Sequence, residues 1–206
     1  MNSRTLPPSL LPGGRSRSTL QPVQPNKLET LDDLLAYAEQ YATRAMRKLG
    51  RVPPALLFIN SRGAQIYSPE NLPDVEAKDD FADVARLLCI AHAATACVLA
   101  FEAWSRPRKP GESLEDAEAP SEAVDRQEIV ALLGESRDHD EHRTLPIIRS
   151  GNGKFFGFDS PEISHGKQME GRFGGILPPE PPTPRLRKLA REALAAYGLP
   201  PAPRRP

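Results

Sequence analysis

Cysteine is nearly missing from this chain: Cys89 and Cys97 are the only two among 206 residues. Both sit in apolar runs, Leu87-Leu88-Cys89-Ile90 and Ala96-Cys97-Val98-Leu99, where a thiol behaves as a small hydrophobe. A disulfide-stapled secreted scaffold is therefore excluded, and neither setting favours an activated thiolate. No apolar run approaches the roughly 18 residues a membrane span requires. Before residue 28 the longest apolar stretch is Leu10-Leu11, enclosed by Pro7, Pro8 and Pro12. A signal peptide is not expected there, and a cytoplasmic protein without membrane contact is. A Gly-x-Ser-x-Gly elbow is also lacking.

Acids are absent from residues 1–27, which carry Arg4, Arg15, Arg17 and Lys27 for a net of +4. Residues 185–206 hold six basic residues against Glu192, a net of +5. The whole chain has a formal charge of zero, so the middle is acidic. An acidic body repels phosphate backbones, which leaves only weak nucleic-acid attraction through the basic tails.

Between these ends lie well-patterned elements. Residues 1–27, with five prolines and Gly13-Gly14, cannot bury enough apolar surface to order and are expected to be a disordered basic tail. Thr30 caps a helix whose stripe includes Leu31, Leu34, Leu35, Ala38, Ala42 and Ala45, and Gly50 ends it. Ala55–Ile59 and Ala64–Tyr67 form a hairpin across Asn60-Ser61-Arg62-Gly63. A second helix over about 76–93 is acidic first and apolar nearly all round later, with Leu88 in its buried half. The strand from Ala96 to about Trp104 is apolar on both faces, as a covered central strand is.

A long hydrophilic loop spans 106–125, and strands follow at about 127–135 and 142–149. Pro146 places the second of these at an edge or a bulge. Ser150–Gly153 turns into a short strand, 154–158, and 159–182 is irregular. Thr183 caps a last helix with Pro184 at its first position and Gly198 beyond its end. The expected organisation is one α+β domain over 28–177 with a mostly antiparallel five- to six-stranded sheet packed by helices. A Pro-rich linker, 178–184, then leads to a tethered C-terminal helix and tail, 185–206.

Several constellations carry chemistry on paper. Asp138-His139-Asp140-Glu141-His142 gathers metal-ligand types, with His139 and His142 as candidate ligands. A hairpin turn needs the same polar residues, and strand side chains alternate in direction. Gly151, Gly153 and Gly157 imitate a phosphate loop, but a strand rather than a helix follows them. Asp74 with Glu76-Ala77-Lys78 imitates a nuclease motif compressed into one helix start, where carboxylates complement the dipole instead. His92 reads as a core histidine.

Glu102 interrupts an apolar strand between Ala100 and Trp104, and Arg126 at the start of the next strand is its expected cross-strand partner. Glu102, Trp104, Arg126 and Glu128 are accordingly the candidate binding residues, beneath the 106–125 loop. On the last helix Leu186, Leu189 and Leu194 form the candidate interaction face.

The element order over 28–158 resembles that of profilin-like and roadblock-type modules, in which helices sandwich a five-stranded sheet. The core is also similar to small bacterial proteins of phage-like or mobile gene neighbourhoods, a resemblance that implies no activity. The expected function is a non-enzymatic binding or scaffold module without a cofactor, self-associating or meeting a protein partner through the C-terminal helix. The alternative is a small metal-dependent hydrolase or nuclease using Glu102, Asp125, Glu128 and the 138–142 turn.

Overall fold

The computed structural model describes residues 19–22, 28–69, 71–106, 123–166 and 171–199. Among the described residues, three helices, α1 (Leu31–Leu49), α2 (Val75–His92) and α3 (Pro184–Ala196), accompany eight strands. The strands are β1 (Thr19–Pro22), β2 (Ala55–Asn60), β3 (Gly63–Ser68), β4 (Ala96–Ser105), β5 (Gln127–Ser136), β6 (Asp140–Arg149), β7 (Phe155–Phe158) and β8 (Glu162–Gly166). They form an open sheet in the order β1-β3-β2-β4-β5-β6-β7, with β8 also pairing β6, and every pairing is antiparallel. This is the α+β class that the sequence pattern predicts.

The helices begin where their caps dictate. The Thr30 hydroxyl accepts the Asp33 amide while the Asp33 carboxylate accepts the Thr30 amide, a reciprocal capping box. Gly50 then closes α1 at φ 71°, a conformation that glycine adopts without strain. Helix α1 covers one face of the sheet, burying Leu34, Leu35, Ala38 and Met46 against Leu57, Val98, Val130 and Leu132. Helix α2 covers the other, burying Phe81, Ala85 and Leu88 against Leu56, Phe58, Cys97 and Leu99. The inner strand β2 is consequently buried at every position.

Gly134 sets how closely α1 approaches. A Cβ there would lie 2.9 Å from the Glu141 carbonyl oxygen and 3.1–3.2 Å from the side chains of Leu31 and Leu35. Its absence lets the first turn of α1 rest on the sheet beside Glu141, the cross-strand partner of Gly134. Arg143 then fastens the same region. Its Nε donates to Glu141 at 2.6 Å and its Nη1 to Glu39 of α1 at 2.8 Å.

Several departures from the sequence pattern have physical causes. Thr19–Pro22, expected within the disordered tail, pairs with β3 as an edge strand; residues 1–18 and 23–27 lie outside the described residues. Glu162–Gly166 is a strand on β6, although 159–182 reads as irregular; it holds one apolar side chain, the exposed Ile163, and so lacks an alternating signal. Strand β6 is flanked on both sides, not an edge. Pro146 lies between the stretch paired with β8 and the stretch paired with β7, and its carbonyl accepts the Asp159 amide. Having no N–H, Pro146 accepts from Asp159 without returning a bond, and the β6–β7 ladder ends at Ile147 and Phe158.

Residues 171–177 form a strap across the α2 face. Arg86 donates to the carbonyls of Arg172 and Gly174, Arg172 pairs with Asp79, and Phe173 packs on Phe81 and Phe101. Its far end is held by buried Glu135, whose carboxylate accepts the Leu177 amide at 2.7 Å. Burial pushes the Glu135 carboxyl above its ordinary value, aided by nearby Asp140 and opposed by backbone amides of the strap. A carboxyl raised on folding adds stability below its unfolded value, which is lost as pH climbs through the folded one. Glu135→Gln is thus expected to gain on the native protein as pH rises from 4 toward 7 in denaturant titrations. A native protein that gains on the variant over that range would reverse the sign.

Candidate ligand cavity on the helix 1 face

Strand β4 outruns the helix that covers it. Its burial is complete from Ala96 to Ala100 and then alternates through Ser105, because α1 stops at Gly50. The chain leaving the helix touches the strand once more, where the Val52 amide donates to Glu102 Oε1 at 2.8 Å. Beyond that contact lies a cavity of about 240 Å³ lined by Glu102, Ala103, Trp104, Glu128, Ile129 and Ile147.

Strand alternation explains this lining. Glu102 and Trp104 are two apart and share a face, while Trp104 is directly opposite Glu128 on β5. The Trp104 ring is 39% exposed, and the Arg126 guanidinium stands 4.5 Å over it, a cation–π contact. Glu128 is held by Arg149 at 2.6 Å. Among the described residues Glu102 has no basic partner, and its carboxylate stands on the cavity wall.

The four candidate binding residues therefore come together, but with different partners from those expected. Val130, not Arg126, is opposite Glu102, and Glu102 instead accepts the Val52 amide. The sequence pattern had no means of finding that contact, which joins residues fifty apart. Arg126 turns to the indole. Exposed Asp125 precedes β5 outside the lining, and 107–122 of the long loop lies outside the described residues.

The two histidine candidates separate. His139 sits in the β5–β6 turn and His142 on the α2 face of β6, opposite Leu133. His139 instead meets Asp32 of α1 and Glu141, with ligand atoms of all three within 4.8 Å of one another. This group and the cavity occupy opposite ends of the sheet. Gly134, which faces Glu141, is six residues from Glu128, or about 20 Å along a strand. Glu102 and Glu128 thus lie apart from the 138–142 turn.

The C-terminal helix docks on α2 rather than standing free. Ala190 and Leu194 are buried there, Leu199 follows them, and the Arg191 guanidinium donates to the Ala91 carbonyl. Leu186 and Leu189 face outward, 42% and 50% exposed, so of the expected interaction face only Leu194 is used internally. His92 lies against Phe58, where burial holds its imidazole below the usual range. Cys89 and Cys97 are buried, and the hydrogen bond to Cys89, with burial, pushes the Cys97 thiol well up, the opposite of nucleophile activation. Among the described residues no helix is long and apolar enough to cross a membrane. In comparisons with known proteins, no family model, no curated protein and no solved structure matches this chain.

Proposed function

We propose that this protein is a non-enzymatic binding module whose cavity at the open end of β4 and β5 receives a basic side chain of a partner protein. The observation that carries this reading is the exposed Trp104 beside the carboxylate of Glu102, which has no basic partner among the described residues. The indole face that Arg126 leaves uncovered and the carboxylate of Glu102 together attract an ammonium or guanidinium group, and Ile147 offers apolar contact to its stem. A volume of about 240 Å³ suits one side chain rather than a cofactor. The outward Leu186 and Leu189 of α3 support self-association as a second contact of the same module.

Because Trp104 is the only tryptophan, its fluorescence reports this site alone. Titration with N-acetyl-arginine amide is expected to give a saturable change, which N-acetyl-glycine amide does not give. Glu102→Gln keeps an acceptor for the Val52 amide but removes the charge, and should abolish saturation. A response that never saturates, or one that is unchanged in the variant, would sink the reading.

A further inference from the structure

We propose that Asp32, His139, Glu141 and His165 form a zinc site that fastens the β5–β6 turn and β8 to the first turn of α1. Four separate pieces of chain supply these residues: α1, the turn, β6 and β8. The first three already hold their ligand atoms within 4.8 Å of one another. The fourth is placed by sheet register, since His165 is directly opposite Glu141 and its Nδ1 is 3.6 Å from Glu141 Oε2. Two imidazoles and two carboxylates are a donor set that suits zinc, and four protein ligands make the closed tetrahedral arrangement of a structural ion.

The surroundings orient the ligands as a metal site requires. Arg143 engages Oε1 of Glu141 and is itself braced by Glu39, so Oε2 is the oxygen turned toward His165. The His139 Nδ1 lies 3.5 Å from the Ser136 hydroxyl, which donates to the His139 carbonyl and accepts the backbone amides of Asp138 and His139. With Nδ1 turned to Ser136, Nε2 is the nitrogen left to coordinate. A neighbour on the other ring nitrogen is the usual companion of a metal-bound histidine. Gly134 matters here as well, because its missing side chain lets Asp32 come down beside Glu141. Bonds of about 2.0–2.1 Å place tetrahedral ligand atoms about 3.3 Å apart. His165 lies outside the group whose ligand atoms are all within 4.8 Å of one another, so its exposed side chain must swing in from Glu141 while those of Asp32 and His139 turn to close the remaining distance.

Without a metal, these contacts reduce to a helix dipole complemented by Asp32 and a surface pair between His165 and Glu141. Zinc titration of the full chain, freed of metal by chelator, separates the two cases. One equivalent of zinc is expected to bind and to raise the thermal midpoint, because the ion binds only the folded state. Cobalt(II) in its place should show the visible absorption of a four-coordinate site. His139→Asn and Asp32→Asn alter exposed positions outside the core, and each is expected to weaken binding by at least about tenfold. Asp138→Asn, an exposed neighbour, should leave it unchanged. Failure of the native chain to hold an equivalent of zinc overturns the proposal. So does unchanged binding in a His139→Asn, His165→Asn double variant, which would locate the ion elsewhere, for instance at Cys89 and Cys97.

Discussion

Replacing Phe58 with alanine is expected to cost about 3–5 kcal/mol of folding stability. The ring is wholly buried at the centre of the sheet, between β3 and β4, on the face that α2 covers. It stacks obliquely on His92 at 5.4 Å between ring centroids and shares a cluster with Phe81, Leu88 and Leu99. Alanine at 58 loses the transfer energy of the ring and leaves a space bounded by two rigid layers. The strand cannot move inward to fill that space, because Leu57 on its reverse side is packed under α1. Urea titration with linear extrapolation reads the loss directly. A value below about 1.5 kcal/mol would mean that the α2 layer collapses onto the gap and is more plastic than its packing indicates.

Replacing Arg143 with methionine comes next in size, at about 3 kcal/mol, through a different mechanism. Arg143 and Glu141 have side chains only 16% and 9% exposed, and Glu39 is 34% exposed. Methionine keeps much of the apolar stem but leaves the carboxylate of Glu141 in a poorly hydrated place without its guanidinium. The penalty is that of an uncompensated charge, not of a lost contact. Glu141→Leu in the same chain removes that charge and should recover most of the loss. The measurements belong in the presence of chelator, so that an ion bound at Glu141 does not stand in for the missing arginine. A single variant within 1 kcal/mol of the native protein would show that water reaches Glu141.

The sequence by itself determined the elements whose signals are local or strongly periodic. Thr30, Gly50, Thr183 and Pro184 mark helix ends because capping is decided by neighbouring backbone groups. The apolar run at 55–59 marked a strand, and the one from Ala96 to about Trp104 marked a strand covered on both faces, since no other placement would bury both sets of side chains. Even the cavity was foreshadowed, because Glu102 and Trp104 interrupt a buried strand where the cover ends.

Only the tertiary structure decided what depends on register and on edges. β1 and β8 are strands because β3 and β6 offer them unpaired backbone, a condition that their own polar sequences do not encode. Glu102 meets Val52 rather than Arg126 because the β4–β5 register sets Val130 opposite it, four residues beyond Arg126, and the chain leaving α1 passes beside it. His139 and His142 part company through strand alternation, while Asp32, more than a hundred residues from His139, arrives beside it because Gly134 lets α1 settle on the sheet. Local chemistry is written residue by residue along the chain. Partners across a sheet are fixed by how the layers pack, and that is a property of the whole molecule.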